Sequence, residues 1–460
     1  MARLVGAADG PGAVEVNRTL RYLGYAAGDS ANNLTFSMIS AFLLIYYTDV
    51  AGISAATAGT LFLVVRVWGG ISDLIAGRAV DKTNTRWGRF RPYLVIASIP
   101  LLVSFVALFS IPSSLGVGAT VLWAYVTYGI FSLAYSFVNI PYGSLAAVMT
   151  QDPEVRARLS TGRSIAASVT ILLIAVVVSP QISAGGDLQR TLTITTIIFA
   201  VVSYLFYVWT FSVAEEKVKR SSEQFGVADG LRMIRQNRPL LLLCGSALLY
   251  LTGMFAVQTV AVYYARDVLG NADLYIVMTI VQTLAMVGAS TLVPKAVLTH
   301  GKKKVYVMFG LVAVAGAIGV LLAPASVPAL GIFFYGVIGA GFGAVNNLIF
   351  AFQPDTVDFG EWKSGIRAEG ASYSLLSFTR KVGQGIGGAA AAYTISLGGY
   401  VSDAAEQTDA AITSIKVAIG AVPAVVMVAA MLIMLVYPLT EKALSKVVAD
   451  LNERRESPAP

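Results

Sequence analysis

The sequence predicts an all-α integral membrane protein: twelve transmembrane helices in two six-helix bundles. Three observations predict it. Only 13% of the 460 residues are charged while 56% are hydrophobic, and mean hydropathy is +0.71. That is about half the charge of a soluble domain, too little to cover a water-facing surface, and it excludes disorder, which needs few apolar residues and many charges. Apolar runs long enough to cross a bilayer recur along the whole chain, and twelve spans of about 20 residues use roughly 240 of them. The basic residues, finally, fall almost wholly in alternate connecting segments.

The elements follow in order. The first 17 residues are Gly/Ala-rich and mildly polar, and the first apolar run is too long for a cleaved signal peptide. Span 1 covers 22–47 and is broken by the polar run Gly28-Asp29-Ser30-Ala31-Asn32-Asn33. Span 2, 54–79, holds Arg66, Trp68 and Asp73. Spans 3 and 4 cover 92–111 and 120–149, the latter with Pro141. Spans 5 and 6 cover 159–183 and 191–213. The charged stretch 214–238 separates this N-terminal bundle, 1–213, from a C-terminal bundle, 239–437. Spans 7 to 9 cover 239–264, 272–294 and 305–324. Span 10, 327–352, carries Gly339, Gly341 and Gly343. An acidic cytoplasmic loop with Asp355, Asp358 and Glu361 follows. Span 11, 370–397, carries Arg380, Lys381 and four glycines, Gly383, Gly385, Gly387 and Gly388. Glycines of this kind let helices approach or bend. Span 12 covers 412–437, before a tail at 438–460. Several runs exceed 20 residues, as tilted helices require.

Charge sets the orientation. With a cytoplasmic N-terminus, the inside segments hold 27 of the 33 Lys and Arg residues. The outside loops hold Arg190 and Arg266, with Lys416 at a span edge. Arg66, Arg380 and Lys381 lie inside spans. This bias places both termini in the cytoplasm. The basic loop after span 2 has a counterpart after span 8, at Gly301-Lys302-Lys303-Lys304, the mark of two related halves. A repeat of this kind fits alternating access to a central site. The acidic loop is placed to pair with such basic loops.

Charges at lipid depth are costly and face a cavity or a partner. Asp29, Asn32 and Asn33 share a helix face by spacing, and can accept from and donate to sugar hydroxyls; the alternative is a polar contact between helices. Arg66 and Asp73 are two turns apart. Asp73 can bind a proton or a cation, with Arg66 tuning it, or the two can serve structural pairs with other helices. In span 4, Ser136 and Asn139 precede Pro141, which bends a helix; Asn139 then either faces a binding site or steadies the kink. Arg380 and Lys381 can pair with Asp73 or bind an anionic substrate. Tyr46, Tyr47 and Trp209 are read as interfacial aromatic belts.

Other chemistry finds no support. No GK[ST] phosphate loop occurs, and the span surrounding Gly339-Xaa-Gly341-Xaa-Gly343 excludes a dinucleotide fingerprint. A single cysteine, Cys244, allows no intramolecular disulfide, and a single histidine, His300, no multi-histidine metal site. No cofactor, metal or nucleic-acid partner is expected.

Several segments resemble the glycoside-pentoside-hexuronide:cation symporter family. They are Tyr46-Tyr47-Thr48-Asp49-Val50-Ala51-Gly52, the cytoplasmic run from Asp81-Lys82-Thr83-Asn84 to Gly88-Arg89-Phe90-Arg91-Pro92, Asn139-Ile140-Pro141-Tyr142-Gly143-Ser144-Leu145, Asp355-Thr356-Val357-Asp358-Phe359-Gly360-Glu361, and Tyr373-Ser374-Leu375-Leu376-Ser377-Phe378-Thr379-Arg380-Lys381. The likeness runs from about residue 18 to 440 and is nearest to the family's glucuronide carriers. It implies a major-facilitator-like fold, in a monomer of the inner membrane, importing a glycoside with a coupling cation. It implies sugar-site residues Asp29, Trp68, Asn139 and Arg163, with Lys381 linking them to a cation site of Asp73 and Ser136; spacing within the spans adds Asn32 to the substrate-binding residues and Arg66 to the cation-coupling ones. Asn139 replaces an aspartate of the melibiose carriers, so melibiose itself is not the expected substrate. A glucuronide is, its carboxylate received by Arg163 and Lys381. Relatives carry an aspartate where Gly69 stands, and two carboxylates suit sodium. Asp73 alone suffices for a proton. The expected coupling ion is H+, with Na+ and a neutral glycoside or pentoside as the alternative. A channel or receptor is the reading from another class; the two-part layout and the absence of a signalling domain speak against it.

Overall fold

The computed structural model describes residues 11–150, 153–184, 186–216, 234–365, 369–402, 404 and 406–456. The basic residues Arg3, Lys217, Lys219, Arg220, Arg232 and Arg367 lie outside them, as does most of the central segment 214–238. The described chain is helical, with one isolated bridge between Thr85 and Gly88.

The helices are α1 Pro11–Ile45, α2 Ala55–Lys82, α3 Arg91–Ile96, α4 Ser98–Leu108, α5 Val117–Met149, α6 Pro153–Ser183, α7 Leu188–Val213, α8 Arg238–Tyr263, α9 Leu274–His300, α10 Lys302–Leu322, α11 Pro328–Ser364, α12 Glu369–Leu397, α13 Asp409–Lys416, α14 Val422–Leu435 and α15 Glu441–Glu456. Among the described residues, ten helical stretches are long and apolar enough to cross a membrane, with α3–α4 and α13–α14 each making one. The long helices α1 and α12 are not among the ten. They are the two interrupted by the polar runs 28–33 and 377–384.

Packing divides the chain into two compact units. One comprises Met1–Ile39, Ile71–Val178 and Gly186–Ser221, the other Ser40–Gly70, Ser179–Gly185 and Ser222–Pro460. In the second unit α12 lies close on α8. A β-carbon at Gly383 would stand 2.6 Å from the Leu248 carbonyl oxygen, and one at Gly387 would collide with that of Thr252.

Each unit contains the same capping device. Gly88, at φ 101°, precedes α3, and Glu216 beyond α7 accepts from the amides of Arg89, Phe90 and Arg91 at 2.9, 2.8 and 3.1 Å. Gly301, at φ 81°, precedes α10, and Glu441 accepts from the Lys302 amide at 2.5 Å. A carboxylate thus serves exposed N–H groups at a helix start. The glycine is required twice over, by its positive φ and because a β-carbon would strike the glutamate in both places. A second device recurs where α1 and α8 end. Tyr46–Val50 and Tyr264–Val268 are π turns, closed by Ala51 N to Tyr46 O and by Leu269 N to Tyr264 O, both at 3.0 Å. Gly52 and Gly270 then turn the chain at φ 65° and 79°.

Three expectations need correction. Asp355, Asp358 and Glu361 do not form a loop, because α11 continues to Ser364. Lys302 holds Asp355 at 2.6 Å, and Gly365 caps the helix in the left-handed conformation, its amide reaching Glu361 O. Tyr46 and Tyr47 are not belt residues. Both are fully buried, and Tyr47 stacks on Phe62 with centroids 6.4 Å apart. Asn139 does not steady a bend at Pro141 through its side chain: α5 runs through the proline, and the Asn139 carboxamide makes no hydrogen bond to another described residue.

Candidate functional site

In the first unit, a carboxylate anchors the polar interior. Asp29 on α1 is 7% exposed. Arg163 Nε of α6 donates to its Oδ1 at 2.9 Å, and Asn33 Nδ2, one turn on, donates to its Oδ2 at 3.0 Å. Both oxygens are engaged, as a buried charge requires. The guanidinium also lies over the Tyr142 ring, 5.0 Å from the centroid, and Tyr142 stacks on Tyr25. Gly28 permits this: a β-carbon there would meet Tyr142 at 2.5 Å. Asn32, expected beside Asp29, instead accepts from the Tyr207 hydroxyl of α7 at 2.9 Å and is 3% exposed, its Nδ2 buried without a partner.

Asp73 on α2 accepts from Ser136 Oγ of α5 at 2.6 Å, which puts within hydrogen-bond distance two residues that the family resemblance had grouped. Asn139, one turn from Ser136, is half-buried.

The second unit holds the cations. Arg66 on α2 donates to Gln384 Oε1 of α12 at 3.0 Å and lies 5.8 Å from the Phe255 ring centroid. Lys381 donates to the Gly69 carbonyl at 3.3 Å. Trp68 is half-buried on the same helix. Arg380, adjacent to Lys381, turns elsewhere. Its Nη1 reaches Asn346 Oδ1 of α11 at 3.3 Å, and the guanidinium stacks 4.8 Å from the Phe350 centroid.

A further cluster, absent from the sequence reading, lies at the π turns. Arg266 donates to Asp49 at 2.5 Å and to both oxygens of Asp267 at 2.8 and 3.0 Å. Tyr400 contacts Arg266 and donates to Asp49 at 3.1 Å. Burial, then the Asp49 charge, pushes the Tyr400 phenol up, so it remains a donor. Thr48 joins Tyr263 at 2.8 Å, and Ser402 donates to the Thr48 carbonyl at 2.6 Å. The signal was present in the sequence: Tyr-Tyr-Thr-Asp-Val-Ala-Gly at 46–52 is echoed by Tyr-Ala-Arg-Asp-Val-Leu-Gly at 264–270. Among the described residues, no group of three or more His, Cys, Asp and Glu side chains forms a metal cluster.

Comparison with known proteins fits this geometry. Residues 24–441 match the family described as MFS/sugar transport protein. The chain belongs to that family. It is 40% identical over 442 residues to the glucuronide carrier protein homolog of Escherichia coli (strain K12), covering 94% of this chain and 95% of the relative. It is 33% identical to the isoprimeverose transporter of Lactiplantibacillus pentosus, covering 94% and 90%. In fold it resembles a mutant of the nucleoside transporter NupG, with TM-score 0.69 at 14% identity over 90% of this chain and 99% of that one. It also resembles a D-xylose-proton symporter, with TM-score 0.62 at 13% identity over 94% and 98%. The chain is therefore a multi-pass membrane transporter of the major-facilitator type, not an enzyme, as the motifs at 81–92 and 139–145 implied.

Proposed function

We propose that this transporter is a secondary active symporter that imports a glucuronide with protons across the cytoplasmic membrane. The observation that carries the reading is the pair of held carboxylates, Asp29 on Arg163 and Asn33, and Asp73 on Ser136. The first is a hydrogen-bonding anchor for a sugar. The second is a proton site: Asp73 stands beyond two glycines, Gly69 and Gly70, that add no side-chain oxygen. Sodium needs several oxygen ligands; a proton needs one carboxylate. In this reading the substrate-binding residues are Asp29, Trp68, Asn139, Arg163 and Lys381, and Arg66, which Gln384 holds, serves the coupling cation. Asn32 packs Tyr207 in this reading.

The fold comprises twelve spans in two six-helix bundles, 1–213 and 239–437, with both termini cytoplasmic. The repeated Gly–Glu caps and π turns support the two-part plan, and the basic bias supports the orientation. The protein works as a monomer. Sodium-coupled uptake of a neutral pentoside is the second reading, favoured by the likeness to an isoprimeverose transporter.

The test is uptake into proteoliposomes. Accumulation of a β-glucuronide under a pH gradient without sodium is the expected result. Uptake driven only by a sodium gradient at matched pH gives the coupling to sodium, and no accumulation under either gradient removes symport.

A further inference from the structure

Three cations sit in the helices of the second unit, Arg66, Arg380 and Lys381. Helices α8, α9 and α10 contain no Asp or Glu, the acids of α11 begin at Asp355, and that of α12 is Glu369 at its start. Asn346 is the middle residue of α11, about 13 Å from Asp355 along the helix, and Arg380 lies about 16 Å from Glu369.

Arg380 is distinctive among the three. Among the described residues no carboxylate pairs with it; its hydrogen bond goes to the neutral Asn346, and the titratable groups that bear on its charge are the phenols of Tyr250 and Tyr373. It is half-buried rather than sealed, beside the 41% exposed Phe350. A guanidinium at such depth faces the bundle interior or a water-filled cavity rather than lipid. The Phe350 face holds its plane, and one donor is spent on Asn346, which leaves the rest of the fork and the Asn346 amide N–H groups for a planar anion. The two residues expected to receive the carboxylate are engaged: Arg163 by Asp29, and Lys381 by a backbone carbonyl.

We propose that Arg380, with Asn346, is the receptor for the substrate's carboxylate and sets the preference for an acidic over a neutral glycoside. This rests on the glycoside reading above. The test is binding to the purified full chain, by intrinsic fluorescence and competition, of p-nitrophenyl β-D-glucuronide and of the isosteric β-D-glucoside. Wild type is expected to prefer the glucuronide. Arg380→Gln is expected to weaken the glucuronide roughly 10- to 100-fold, the loss of a charged hydrogen-bond donor, and to leave glucoside affinity within about threefold, since no neutral group is left unpaired. Asn346→Asp, which supplies the guanidinium with an internal carboxylate, is expected to give the same selective loss without removing the arginine. Equal losses for both probes in both variants, or an unchanged glucuronide affinity, overturns the assignment. A wild type that binds the two probes equally overturns it while glycoside transport stands. A wild type that binds neither overturns the glycoside reading, and this one with it.

Discussion

The Asp29–Arg163 pair is unequally buried, and its two halves should be unequally costly to lose. The Asp29 side chain is 10% exposed and that of Arg163 34%. Arg163→Gln strands a carboxylate in the interior with Asn33 as its remaining side-chain donor. Breaking a buried pair in this way costs about 3–5 kcal/mol, and the partial exposure of Arg163 places the value near the lower end, about 3 kcal/mol. Asp29→Asn instead leaves a guanidinium that water already reaches and that keeps the Tyr142 face, a loss of about 1 kcal/mol. The double variant has no stranded charge, so its loss should fall well below the sum of the single losses, with a coupling of about 2 kcal/mol. The sole cysteine supplies the assay: Cys244 is 6% exposed, so a fluorogenic maleimide reports unfolding in detergent as its thiol becomes accessible. The ranking expected is wild type, Asp29→Asn, double variant, Arg163→Gln. An Asp29→Asn protein less stable than Arg163→Gln, or strictly additive losses in the double variant, would refute the burial argument.

Asp73→Asn should abolish gradient-driven accumulation while substrate exchange continues, because the amide mimics a permanently protonated acid; full accumulation by this variant removes Asp73 from coupling. Arg266→Ala leaves Asp49 and Asp267 without their shared cation, at about 2–4 kcal/mol. In a Cys244→Ser background carrying Ser402→Cys, labelling of intact cells by an impermeant thiol reagent should then rise at least about tenfold; unchanged labelling means that the cluster holds nothing shut. Gly301→Ala should destabilise by about 2 kcal/mol through its positive φ and the strike on Glu441, and Glu441→Gln by about 1 kcal/mol. Thermal unfolding of both variants checks this, and a Gly301→Ala protein as stable as wild type disproves the cap.

Much of the fold was legible because lipid imposes a coarse rule, a long apolar run for each crossing. Span limits failed where that rule gives no information. The acidic end of α11 reads as a loop until Lys302, more than fifty residues away along the chain, neutralises it. The polar residues at lipid depth were legible in the sequence, and their partners were not. Asp29 and Arg163 were both singled out, yet 134 residues separate them, and nothing local joins them. Arg380 and Lys381 are neighbours, but one step along a helix turns a side chain by about 100°, and only the packed helices decide which meets a carbonyl and which a carboxamide. Tyr46 and Tyr47 read as belt residues because composition says nothing of which way a tyrosine at a helix end is turned.

A π turn holds one residue more than the helix around it, and this gives the ends of α1 and α8 an unusual freedom. Every side chain past the added residue is rotated by about 100° relative to the polar run on the same helix. The face presented by Thr48 and Asp49 is therefore not fixed by the face presented by Asp29 and Asn33, although one continuous helical path carries both. Removing a single codon between the two runs, that of Tyr46 for instance, would restore plain helical register and bring the two faces back into phase. Substitutions at one level need not disturb the other, so contacts at the helix ends and chemistry at mid-depth can vary independently.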